Sequence, residues 1–155
     1  MKKILYAALL MLSSVALCTS CGDDDGDTVP QNSAAVIAGT YSGTWTVVSD
    51  SPTGETTTTY DGTIVLAQTT ATALNMTTSI PSITEEASKT APVNSVSTTD
   101  GFFFSCNSDN ANVNPYGKAV SGRVFGSKLY FTYTGEVKIG RRKYGASYAF
   151  EGVKQ

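Results

Sequence analysis

The 155-residue sequence has no histidine and only three cysteines. Without histidine there is no His-based triad, no histidine general base and no histidine metal ligand. Zinc would have to rest on one cysteine and scattered carboxylates, so no metal and no cofactor is expected. Charge is also sparse, at 15% of residues, with 11 basic against 13 acidic side chains. That balance offers no basic surplus for nucleic acid. Long apolar runs are missing apart from Ile4 to Leu17. That run is shorter than the roughly 20 residues of a transmembrane helix.

What is present at the N-terminus is an address. Lys2 and Lys3 precede the apolar run, as in a signal peptide. Small residues Thr19 and Ser20 then stand before Cys21, the arrangement that lets Cys21 become the acylated first residue of a mature lipoprotein. The expected division is a lipoprotein signal peptide over 1–20, a lipidated acidic tether over 21–38 and a folded domain over 39–155. Two acyl chains at Cys21 suffice for stable membrane anchoring, at roughly 0.8 kcal/mol per buried CH₂. With Cys18 removed and Cys21 acylated, only Cys106 remains, and no intrachain disulfide can form. Asp23, Asp24, Asp25 and Asp27 follow the anchor. They resemble the acidic export signal that places Bacteroidota-type lipoproteins on the outer face of the outer membrane. Asp27-Thr28-Val29 resembles the O-glycosylation pattern of such exported proteins, with Thr28 as acceptor.

From Gly39 onward the hydrophobic period is two. Tyr41, Gly43, Trp45 and Val47 alternate with Thr40, Ser42, Thr44 and Thr46. Leu129 to Ile139 and Tyr144 to Phe150 alternate in the same way. One apolar and one polar face per segment marks half-buried antiparallel strands. Strands are expected at 39–48, 56–68, 71–80, 93–98, 101–106, 117–125, 127–139 and 142–153, separated by Gly, Pro, Asn and Asp turns. Eight sequential strands with short links predict an all-β, antiparallel up-and-down barrel, which leaves no exposed sheet edge. A two-residue turn at Gly140-Arg141 sets Phe131 opposite Phe150 and Tyr133 opposite Tyr148, so the apolar faces coincide. Ser82-Ile83-Thr84-Glu85 reads as a capping box and predicts a short helix near residues 82–89, with Glu85 and Glu86 solvated and Pro92 as its stop.

The opening Gly39-Thr40-Tyr41-Ser42-Gly43-Thr44-Trp45-Thr46-Val47 and the closing Tyr148-Ala149-Phe150-Glu151-Gly152-Val153-Lys154 resemble the calycin-like (lipocalin-like) β-barrel family of Bacteroidota exported lipoproteins. Gly43-x-Trp45 also matches the first lipocalin motif, in which the tryptophan closes one barrel end. The resemblance covers about Gly39 to Lys154. It implies an eight-stranded calycin-like barrel that can hold a small ligand, without fixing an activity.

The candidate site residues are aromatic. Trp45, Phe131, Tyr133, Tyr148 and Phe150 either line a cavity for a small apolar ligand or pack the interior solid. Glu136 and Glu151 lie roughly 20 Å apart along the last hairpin at the usual rise per residue, too far for a glycosidase pair. No nucleophile stands with a base, so no catalytic residue is assigned and no enzyme is expected. Lys138, Arg141, Arg142 and Lys143 form a basic hairpin tip, either a solvated turn or a contact for lipid phosphates or an acidic partner. The expected function is that of a surface-exposed outer-membrane lipoprotein with a non-catalytic barrel that binds a small apolar ligand. The alternative is an accessory or adhesion module that meets a partner protein or glycan through its loops.

Overall fold

The computed structural model describes residues 32–51 and 53–155. Eight antiparallel strands run in sequence: β1 (Gly39–Ser51), β2 (Gly54–Gln68), β3 (Ala73–Ser79), β4 (Lys89–Thr98), β5 (Gly101–Cys106), β6 (Val120–Phe125), β7 (Lys128–Ile139) and β8 (Arg142–Lys154). Each pairs with the next, and β1 pairs with β8, so the sheet closes on itself. Closure runs from Tyr41↔Lys154 to Ser49↔Ala146 and sets Trp45 against Phe150. The β7–β8 register is the one expected, with Phe131↔Phe150 and Tyr133↔Tyr148. Gly140, at φ 64°, takes the turn position that favours glycine.

The period-two pattern decides which face is which. Tyr41, Trp45 and Val47 of β1 are buried, as are Ile64 and Leu66 of β2 and Leu74 and Met76 of β3. β7 and β8 add Leu129, Phe131, Tyr133, Tyr148 and Phe150. The apolar face therefore points into the barrel, opposite to a barrel embedded in lipid. Among the described residues, no helix is long and apolar enough to cross a membrane.

The interior is filled by interlocking rings. Trp45 lies 5.0 Å from Phe150, 5.9 Å from Tyr133 and 6.2 Å from Phe131, between ring centres. Tyr133 and Tyr148 stack at 4.5 Å with planes 4° apart. The indole covers Gly62, where a Cβ would sit 2.6 Å from the tryptophan ring. The buried Trp45 Nε1 has no hydrogen-bond partner among the described residues, so packing holds the ring.

The two ends differ. At the base, where β1 begins and β8 ends, helix α1 (Ser33–Ile37) closes the barrel. Asn32 caps it by accepting from the Ala35 N–H at 3.2 Å. Ser33 Oγ donates to the Ser95 carbonyl at 3.1 Å, and the Ala34 N–H donates to the Ala71 carbonyl at 3.0 Å. Tyr41 Oη donates to the Ile37 carbonyl at 2.8 Å. Ala34 and Ile37 are fully buried. The sequence reading put residues 32–38 in the tether; their apolar side chains instead find a place under the barrel.

The helix expected near residues 82–89 is present in short form. A single 3-10 turn, Thr84–Glu86, stands there, and Ile83 precedes it without a side-chain cap. Glu86 is drawn inward, its carbonyl accepting from the Ile80 N–H at 2.9 Å. β4 then starts at Lys89, earlier than expected, and contains Pro92. Pairing of β4 with β5 begins only at Asn94↔Ser105. Pro92 thus occupies an edge-like stretch, where a missing N–H is tolerated.

Trp45→Ala should lower stability by about 3–5 kcal/mol, the usual cost of deleting a large buried aromatic. A urea titration checks this. The wild-type fluorescence maximum should be that of a dry indole; emission typical of water would overturn the register described.

Candidate functional site

The mouth, opposite the base, carries the charged groups. Strand alternation through Val93 and Ala91 turns Lys89 inward, and the 3-10 turn delivers Glu86 beside it. Their ion pair is 2.5 Å long, and Glu86 is only 3% exposed. Tyr133 Oη donates to the second Glu86 oxygen at 2.6 Å. The Lys89 ammonium also lies 5.4 Å from the Tyr133 ring centre and 5.8 Å from that of Tyr116. A buried carboxylate thus gains a cation and a hydroxyl donor, the condition for leaving water without a large penalty.

Tyr116 completes this layer. It reaches the mouth from the long β5–β6 connection, which Asn114 organises. The fully buried Asn114 amide donates to the carbonyls of Ser108 and Lys118 at 2.8 and 2.7 Å and accepts from the Tyr116 N–H at 3.1 Å. Tyr116 and Thr78 hydroxyls then meet at 2.8 Å. Burial, with the Glu86 charge adding to it, raises the pKa values of Tyr116, Tyr133 and Tyr148 well above the ordinary phenol value; at Tyr133 its hydrogen bond to Glu86 adds further. Burial pushes Tyr41 up to about 12.

Above this layer the wall divides. β1 and β8 stop pairing at Ser49↔Ala146. Yet β1–β2 continues to Ser51↔Gly54, and β7–β8 to Ile139↔Arg142. A cleft of about 570 Å³ opens where the two hairpins part, with Asp50 and Glu55 on one side, Gly145 and Ser147 on the other, and Tyr116 and Lys118 above. Small side chains on the β8 side keep it open, and the strand edges there are unpaired. A neighbouring pocket of about 210 Å³ shares Tyr116 and Glu136 and reaches Glu86 and Lys89. The mouth can therefore present charge, hydroxyls and strand edges to a polar ligand. Among the described residues, no cluster of His, Cys, Asp and Glu could hold a metal ion.

Of the residues read as a cavity lining, Trp45, Phe131, Tyr133, Tyr148 and Phe150 do come together, but in ring-to-ring contact. Tyr133 alone among them also borders a pocket at the mouth. Cys106 is a buried free cysteine. Cys21, Asp23, Asp24, Asp25, Asp27 and Thr28 lie outside the described residues. Sequence reading missed Glu86, Lys89 and Tyr116. For Lys89 a signal existed, since counting back by twos from Val93 reaches it.

No family model matches this chain, and no curated protein matches it. A solved structure does: a Bacteroides fragilis protein named "putative outer membrane protein". It is 20% identical, with a TM-score of 0.55 over 80% of this chain and 53% of the other. The chain spans about half the length of that protein, and at this identity the likeness shows the fold alone.

Glu86→Gln should cost about 3 kcal/mol, because it leaves the Lys89 charge poorly compensated under the mouth; denaturant midpoints measure it. Alkaline pH should destabilise the fold. The buried phenols keep their protons in the native state, while the unfolded chain loses them near pH 10, so stability falls as pH rises past about 10. Absorbance at 295 nm should show Tyr41, Tyr116, Tyr133 and Tyr148 ionising only together with unfolding.

Proposed function

We propose that this chain is a lipid-anchored outer-membrane protein facing the cell exterior, with a calycin-like barrel that binds at its mouth and performs no catalysis. The observation that carries this reading is the division of the barrel wall above Ser49↔Ala146, which opens a polar cleft of about 570 Å³ over a ring-filled interior. A ligand there meets Asp50, Glu55, Lys118 and Tyr116 and the free strand edges. This favours a glycan or a partner-protein segment over a small apolar molecule. Anchoring at Cys21 and export through Asp23, Asp24, Asp25 and Asp27 rest on the sequence pattern. The name of the Bacteroides fragilis neighbour, which refers to the outer membrane, agrees with that location. The first described residues, Asn32 and Ser33, lie at the base, the end opposite the mouth. Thr28 is the proposed glycan acceptor on the tether.

One labelling experiment tests location and cleft together. Ser147→Cys places a thiol in the cleft on an exposed residue. On intact cells a membrane-impermeant maleimide should label it. Replacing Asp23, Asp24 and Asp25 with Ala should abolish that labelling without loss of lipidation. Glycans or surface proteins that occupy the cleft should slow it at least tenfold. Equal labelling of the triple variant would remove the export reading. Labelling that no glycan or surface-protein fraction slows would remove the cleft.

A further inference from the structure

We infer that the free end of the β7–β8 hairpin is a docking element for an anionic lipid surface. Beyond the last β1 pair, Glu136 to Gly145 form a two-stranded ribbon, paired from Glu136↔Gly145 to Ile139↔Arg142 and tied to the barrel at its foot, where Val137 packs on the core and the Glu136 carbonyl accepts from Tyr148 Oη at 3.0 Å. Such a ribbon is marginal in water by itself. It concentrates Lys138, Arg141, Arg142 and Lys143, all exposed. Lys143 is paired with Glu136 at 3.0 Å. Lys138, Arg141 and Arg142 form no ion pair among the described residues. Lys138 stands directly across from Lys143, and like charges in that position repel. Anions from outside relieve that repulsion.

Charge alone would suit any polyanion; the apolar side chains choose among them. Strand alternation puts Val137, Ile139 and Tyr144 on the face opposite Lys138 and Lys143. Ile139, next to the turn, is 44% exposed. Aliphatic and aromatic side chains beside lysines and arginines are the composition of an interfacial element. Ile139, at the tip, enters the headgroup boundary while Val137 stays packed against the core, and the cations meet lipid phosphates. A soluble acidic partner would satisfy the charges and leave Ile139 in water. The ribbon stands at the mouth and borders the cleft through Glu136 and Gly145 and the neighbouring pocket through Lys138 and Lys143, while the first described residues, Asn32 and Ser33, lie at the base.

The test uses residues 21–155 with Cys21→Ser, so that no lipid is attached, in co-sedimentation with vesicles. Vesicles of equal phosphatidylglycerol and phosphatidylcholine should carry the protein down; pure phosphatidylcholine should not. Lys138→Glu/Arg141→Glu/Arg142→Glu should weaken binding about a hundredfold, given roughly 1 kcal/mol per cation near an anionic surface. Ile139→Ser should weaken it several-fold at unchanged charge. Unfolding midpoints of both variants should stay near wild type, because the ribbon lies outside the closed wall. The inference is overturned by equal sedimentation with both vesicle types, by charge-reversed protein that binds like wild type, or by no sedimentation at all. It is also overturned if inorganic phosphate, at matched ionic strength, displaces the bound protein, since that would mark a simple anion site.

Discussion

The pairing of β1 with β8 is the constraint on which the rest depends. It joins residues about a hundred positions apart and sets Trp45 against Phe150. With no disulfide among the described residues and no histidine for a metal clasp, burial of apolar surface has to repay the entropy of that long closure. Trp45 does so from the middle of the barrel, between Phe131, Tyr133 and Phe150 and over Gly62. Closure also removes the exposed strand edges that eight antiparallel strands would otherwise leave open.

Where the pairing ends, the character of the molecule changes. Below Ser49↔Ala146 the interior is apolar and stacked. Glu86, Lys89 and the mouth tyrosines cap that interior, and above them the wall divides. The buried ion pair is tied down by Tyr133 and flanked by Tyr116, so the mouth has a defined floor. The base is shut by a five-residue helix, of which Ser33, Ala34 and Ile37 are buried. A tied-down floor, a closed base and two parting hairpins are what the proposal of binding at the mouth rests on.

Much of this was legible in residue order. The alternation through Tyr41, Trp45 and Val47, and again through Phe131 and Tyr133, identified strands and their buried faces. The sum rule of a two-residue turn at Gly140 placed Phe131 opposite Phe150 and Tyr133 opposite Tyr148. The site was less legible. Glu86 reads as a solvated acid, because nothing local reveals that Lys89 and Tyr133 await it. Tyr116 sits in an Asn-Pro-Tyr-Gly turn signal, and its inward direction comes from Asn114 bonding two carbonyls across the loop. The capping box at Ser82 lost to the pull of Glu86 into the mouth.

Sequence by itself determined the strand count, the inward aromatic face and the last hairpin's register, since each follows from period-two alternation and turn chemistry among near neighbours. Its N-terminal pattern also carries the expected lipid address. Tertiary structure alone decided that the rings fill the barrel, that Ser33 to Ile37 plug its base, and that the wall divides above Ser49. Those outcomes depend on the distance between β1 and β8 and on which side chains meet across the closed sheet. Such contacts join residues far apart in the chain, and no local propensity encodes them.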